Sequence, residues 1–316
     1  MNLASAGEIY KALCNGLLQA FFGKPEIVEK IALAVLAGGH LLIEDVPGVG
    51  KTTAAKALAR LISRDGKPLA FRRIQFTPDL LPYDITGTDV FHPDTGQFEF
   101  IPGPVFAPIV LGDEINRATP KVQSALLEVM EEGQVSLGGV TRQVDPFFFV
   151  VATQNPLETE GVYPLPEAQL DRFFMKIQVG YPATEREKAV WLGDPAHRAI
   201  ETLAPVVDAD TILTLRKEFN QVHVAPSLLD LIAQVMDRTR THKGIALGLS
   251  PRSGVHLIKA LRCAAMVRGR DYVQPEDFRW LAKDVLEHRL MYQESVPERK
   301  NLFSQILTEE LARHEV

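Results

Sequence analysis

Cysteine is nearly missing from this chain: Cys14 and Cys263 are its only two in 316 residues. Neither has a second Cys or a His at ligand spacing, which excludes a disulfide framework and a cysteine-built metal site. Both read as buried thiols in a reducing cytoplasm. Long apolar runs are missing too. One of the longest, PFFFVVA at 146–152, falls far short of the roughly 20 residues a membrane helix needs, so no membrane insertion is expected. The opening MNLASAGEIYK has no basic region leading into an apolar stretch, so no secretory leader is expected and a cytoplasmic location is. Positive charge is not in excess: 34 Lys and Arg stand against 40 Asp and Glu, a net −6. That balance argues against a dedicated nucleic-acid binder. Internal repeats and low-complexity segments are absent as well.

What remains is ordinary globular composition, 46% apolar and 23% charged. The length is too great for one comfortable core and suits two domains. Up to about residue 180, strand-like and helix-like segments alternate. Ile9, Leu13 and Leu17 recur at helical spacing, as do Ile27, Ile31 and Val35. Strands are expected at 40–45, 71–76, 107–114, 147–155 and 172–179, with helices from near Lys51 and over 120–132. Strands that lack polar alternation and alternate with helices predict an α/β fold: a parallel sheet covered on both faces. Residues 84–104, with PDTG, and 134–145, with Gly138-Gly139, read as hairpins inserted into that core. After YPATERE at 181–187 the pattern is helix and loop throughout. The expected domains are therefore 1–182, α/β, and 183–316, all-helical. His40 reads as a capping or packing residue, and Phe147, Phe148 and Phe149 as sheet core.

The chemistry concentrates in four places. In EDVPGVGKTT at 44–53, a strand runs through a glycine turn into a helix. Gly48 and Gly50 let backbone N–H groups close on an anion that side chains would block, and the helix N-terminus faces the same anion. Pro47, Gly48, Val49, Gly50, Lys51, Thr52 and Thr53 form the expected nucleotide-binding stretch. Lys51 is placed to reach the β and γ oxygens, and Thr52 to hold Mg²⁺ by its hydroxyl. The full pattern G-x-x-x-x-G-K-[ST] is met only in its second half, because Asp45 stands first. In PIVLGDEIN, four apolar residues deliver Asp113 and Glu114 to a strand end. Asp113 suits the Mg²⁺ shell, and Glu114 suits activation of a water. In VVATQNP, Asn155 ends the next strand and can reach the γ-phosphate or the water. Arg172 in LPEAQLDRFF and Arg252 in LSPRSG can stabilise charge on a transferring phosphoryl group, in trans or in cis.

These segments resemble the MoxR family of AAA+ ATPases. The likeness runs through EDVPGVGKTT, RIQFTPDLLPYDITGTDVF, FEFIPGPVF, DEINRATPKVQSALLEVMEE, VVATQNPLETEGVYPLPEAQLDRFFMKI and LSPRSG. It implies a sheet order of 5-1-4-3-2 with a helical lid, and ATP with Mg²⁺ as ligands. It makes Lys51 and Thr52 the Walker A pair, and Asp113 and Glu114 Walker B, with Glu114 the hydrolytic base. Asn155 becomes sensor 1. Arg172 becomes an arginine finger for a neighbouring subunit, and Arg252 a sensor 2 that closes over its own subunit's nucleotide. The two hairpins correspond to the family's helix-2 insert and pre-sensor hairpin, and the adenine is expected near Phe22-Gly23. Arg117 is typical of the family and receives no role.

A borrowed arginine implies a homo-oligomeric ring, a hexamer by resemblance. The implied function is an ATP-driven remodelling chaperone acting on a separate protein with a von Willebrand factor A domain, in metal insertion or complex maturation. Two alternatives stand beside it. A DNA motor or loader requires basic hairpin tips, where this chain offers only His92 and Arg142. A nucleotide-controlled scaffold with little hydrolysis does not require both Glu114 and Asn155.

Overall fold

The structure is a computed structural model. It describes residues 3–45, 48, 50–156, 161–180, 188, 195–293 and 299–314. Two helices lead into the sheet: α1, Leu3–Ala20, which buries Leu13 and Leu17, and α2, Pro25–Ala37. Pro25 suits the first turn of α2, where its missing N–H costs nothing, and Gly38 ends the helix in the left-handed conformation. The five core strands are β1, Leu41–Glu44; β2, Phe71–Gln75; β3, Ile109–Asp113; β4, Phe149–Gln154; and β5, Met175–Ile177. All pairings among them are parallel, in the order β5-β1-β4-β3-β2, the expected 5-1-4-3-2.

Every residue of β3 is buried, as are the first five of β4. Successive side chains go to opposite faces. Leu41, Ile43, Ile109, Leu111, Phe149 and Val151 join one core, while Leu42, Val110, Val150 and Ala152 join the other. Helix α3, Lys51–Leu61, packs its alanines and Leu58 into the first core. Helix α4, Pro120–Glu132, brings Val122, Leu126 and Val129 to the second, over the residues the periodicity predicts. Phe147 and Phe149 are core, as expected, and Phe148 is half-buried. The first core runs without a break into Leu257, Leu261 and Phe278 of the C-terminal region.

Both inserted hairpins are present. Gly87–His92 pairs with Gln97–Pro102, after a one-turn helix at Pro82–Thr86. Gln134–Leu137 pairs with Val140–Gln143 across Gly138-Gly139, whose φ values of 58° and 78° make the two-residue turn that only glycine enters freely. Arg142 joins the hairpins: it meets Asp89 at 3.4 Å and lies 3.9 Å over the Phe100 ring.

Two details differ from the sequence reading. The C-terminal region is not purely helical, since Val207–Asp208 pairs with Ile62–Arg64 and Ile245–Leu247 pairs with Met291–Tyr292. Strands of two or three residues carry no readable period. A small hairpin, Ile62–Arg64 with Lys67–Pro68, also turns on Asp65-Gly66, both at positive φ. The boundary expected between residues 182 and 183 lies outside the described residues. Among the described residues no helix is long and apolar enough to cross a membrane.

His40 ties the sheet to α4. Its Nδ1 accepts from the Val150 N–H at 3.1 Å, and its Nε2 donates to the Met130 carbonyl at 3.1 Å. Those partners assign the neutral ring with its proton on Nε2. Burial pushes its pKa down to about 4, and that of His256 down to about 3. The unfolded chain protonates histidine near pH 6.5. Between there and about pH 4 the unfolded state binds more protons, so this stability is complete above pH 6.5 and falls as pH drops. Chemical denaturation at pH 7.5 and pH 5 is expected to show a loss of about 2 kcal/mol from His40 alone. A His40→Gln protein is expected to start less stable and to show a shallower pH dependence.

Candidate active site

At the end of β1 the chain passes Asp45 and turns through the glycine loop into α3. Gly50 caps that helix at φ 88°, and Gly48 lies at φ 86° with open space where a Cβ would point. Side chains are disfavoured at both, and no side chain caps the N-terminus of α3, which suits it to an anion. Pro47 and Val49 lie outside the described residues. Asp45 is buried; its carbonyl accepts from Lys51 Nζ at 2.8 Å, and its carboxylate accepts from the Gly180 N–H at 2.5 Å. A glycine at this position could not tie the loop base to the chain leaving β5. Phe21, at the start of the Phe21–Gly23 connection after α1, sets its ring against Gly50.

Asp113 and Glu114 leave the end of β3 beside the loop. Thr153, fully buried on β4, donates to Asp113 Oδ1 at 2.7 Å and accepts from the Glu114 N–H at 2.9 Å. Glu114 itself has φ 58°, unusual for a residue with a side chain. That backbone turns its carboxylate toward Gln75, which donates to Oε2 at 2.7 Å, and toward Arg117, whose Nε is 3.3 Å from the same oxygen. Asp113 Oδ2 accepts from Arg73, through Nε at 3.1 Å and Nη2 at 2.6 Å. Asn155 follows β4 and is buried on the same sheet edge. One cavity of about 390 Å³ is lined by Gly48, Gly50, Lys51, Thr52 and Thr53 from the loop side. Arg73, Gln75, Asp113, Glu114 and Asn155 line it from the strand side. The Thr52 hydroxyl and the Asp113 carboxylate are hard oxygen donors of the kind Mg²⁺ takes, so the residues present fit that ion.

The sequence reading missed Arg73, Gln75 and Thr153. Arg73 and Gln75 sit two apart on β2, and that spacing, which puts both on one face of a strand, was the signal available.

Arg172 and Arg252 are not in this cavity. Arg172 lies three residues before β5, and Arg252 is in the first turn of helix α5, Pro251–Val267. Both guanidinium groups meet on Glu131 near the end of α4, Arg172 at 2.9 Å and Arg252 at 2.5 Å. The hydrogen bond from Arg252, with the nearby charge of Arg172, holds the Glu131 carboxyl below the usual range. A second cavity, about 180 Å³, opens there, with Gly38, His40, Phe174 and Lys259 also in its wall. Gly38 and His40 precede β1, and Phe174 precedes β5, so this cavity lies at the N-terminal edge of the sheet. The phosphate loop follows the C-terminal edge. A six-residue strand such as β4 spans roughly 20 Å between them. The expectation that Arg252 closes over its own subunit's nucleotide is therefore corrected: the fold puts it with Arg172, on the far edge from its own loop.

A parallel sheet of this order, a glycine loop between β1 and α3, and an Asp-Glu pair at the end of β3 define a P-loop ATPase of the AAA+ class. Comparison with known proteins agrees. The model of the ATPase family associated with various cellular activities (AAA) matches residues 40–175, and an AAA lid domain model matches residues 237–310. YeaC, an uncharacterized protein of Bacillus subtilis, is 48% identical over 269 residues, 85% of this chain and 82% of its own. Chaperone MoxR1 of Mycobacterium tuberculosis is 44% identical over 85% of this chain and 72% of its own. A crystal structure of a candidate ATPase from Cytophaga hutchinsonii superposes with a TM-score of 0.86 at 36% identity, covering 97% of this chain and 96% of that one. The chain belongs to the MoxR family of AAA+ ATPases and hydrolyses ATP.

Proposed function

We propose that the chain is a remodelling chaperone whose ATPase site is completed by a second copy of itself. In this reading the N–H groups of the loop and the N-terminus of α3 hold the phosphates, and Lys51 leaves the Asp45 carbonyl to meet the β and γ oxygens. Thr52 and Asp113 hold Mg²⁺, which when bound neutralises charge on the phosphate chain. Glu114 takes the proton of the attacking water, and Asn155 orients that water or the γ-phosphate. Thr153 fixes the backbone and carboxylate that both acidic residues depend on.

The single observation that carries the reading is the placement of Arg172 and Arg252 together on Glu131, at the edge opposite the loop. Such a pair serves a neighbour's γ-phosphate and not its own. An interface that joins one edge to the opposite edge of the next copy is head-to-tail, and closure of that repeat gives a ring. The family resemblance supports a hexamer, the change to helix and loop after residues 181–187 supports a lid that begins near residue 183, and two buried free thiols support a reducing cytoplasm. It also supports a separate client with a von Willebrand factor A domain, acted on in metal insertion or complex maturation. The name of the Mycobacterium tuberculosis relative, a chaperone, supports the same class of action. The two hairpins, joined through Arg142, are the surfaces proposed to pass movement to the client.

The DNA-motor reading loses support. Arg142 is already engaged with Asp89 and Phe100, and His92 faces Glu99 at 2.8 Å. Hydrolysis per subunit, measured against protein concentration, tests the proposal. It is expected to rise cooperatively as copies associate; a flat profile in a monomeric sample would overturn the shared site.

A further inference from the structure

Both oxygens of Asp113 accept hydrogen bonds in this structure. Oδ1 is taken by Thr153 at 2.7 Å, and Oδ2 accepts two N–H groups of Arg73, at 3.1 and 2.6 Å. Arg73 arrives from the edge strand β2, half-exposed, and lines the cavity in which the phosphates and metal are proposed to bind. Gln75, on the same face of β2, occupies Glu114 at 2.7 Å and also accepts from Arg73 Nη2 at 2.7 Å. The two N–H groups of Arg73 take both lone-pair directions of Oδ2, so a metal ion bonding that oxygen must compete with the guanidinium.

We infer that Arg73 is a resident counter-cation for Asp113 that Mg²⁺ displaces. It neutralises the carboxylate while the metal is absent and yields Oδ2 when the metal arrives with the nucleotide. The inference rests on the assignment of this cavity as the ATP site. Two consequences follow from charge alone. Without the guanidinium, a bare Asp113 carboxylate faces the phosphates, so metal-free ATP binds more weakly. With Mg²⁺ present, the variant has no internal cation to displace, so its affinity for the metal-nucleotide is kept or improved. A side chain that merely held the fold would move both affinities together.

The test is calorimetric titration of the full chain with ATP, in excess EDTA and in excess Mg²⁺, for wild type, Arg73→Met and Arg73→Lys. The ratio of the metal-free to the Mg²⁺ dissociation constant is expected to rise at least tenfold in Arg73→Met. Arg73→Lys keeps a cation on the carboxylate and is expected to stay near the wild-type ratio. In a Mg²⁺ titration at saturating ATP, the midpoint for Arg73→Met is expected at a lower Mg²⁺ concentration. A ratio within twofold of wild type in Arg73→Met overturns the exchange while leaving the ATP site standing. If wild type binds ATP under neither condition, the site assignment itself fails, and the exchange with it.

Discussion

Glu114→Gln is expected to slow ATP hydrolysis by roughly 10²–10⁴-fold, the range general-base catalysis supplies, while ATP still binds. The substitution removes a proton acceptor and little else. Glutamine keeps the side-chain length and an oxygen that can accept from Gln75. The backbone at φ 58° is held by Thr153 through the residue's own N–H, which the substitution does not touch. The phosphate loop is built from a different segment, so nucleotide affinity has no reason to fall. Initial rates of phosphate release at saturating ATP, beside a dissociation constant for ATP, check both halves. A rate within tenfold of wild type would remove Glu114 from the role of base.

Arg172→Ala is expected to lower hydrolysis by about 10³-fold, at the lower end of what an arginine supplied in trans contributes to phosphoryl transfer. In a single subunit the residue lies roughly a strand's length from its own phosphate loop, so the ATP affinity of the isolated subunit is expected to be unchanged. Arg252→Ala is expected to act in the same direction, since the two guanidinium groups share Glu131. Loss of ATP binding in dilute Arg172→Ala protein would point to a role within its own subunit, against the geometry.

The sheet was legible in the sequence because β1, β3 and β4 open on apolar runs, with β3 and β4 buried on both faces as such runs require, while β2 showed by alternation. The glycine loop was legible because positive φ at Gly48 and Gly50 is a demand the residue type answers. Gly138-Gly139 gave away its hairpin for the same reason, and Asp65-Gly66 offered a signal of equal kind that went unread. What could not be read lies across strands. Strand periodicity says that Arg73 and Gln75 share a face, and the implied strand order that β3 is their neighbour, but neither gives the register that brings Asp113 and Glu114 beside them. Thr153 looked like one more residue of a buried strand, although its hydroxyl organises both acids. Arg252 was misplaced because its edge is set by how the C-terminal helices pack on the first core, a tertiary choice that local pattern does not carry.

The shared site is the central claim, and mixing two inactive proteins tests it most directly. A Glu114→Gln subunit has no base but offers an intact Arg172; an Arg172→Ala subunit keeps its base but offers no finger. In a head-to-tail assembly, the interface between the loop side of an Arg172→Ala subunit and the arginine side of a Glu114→Gln subunit is complete. ATP hydrolysis in the mixture is predicted to rise well above that of either protein alone, to a sizeable fraction of wild type. A mixture no more active than the sum of its parts, in a sample that is demonstrably co-assembled, would contradict the account and place Arg172 outside the neighbouring site.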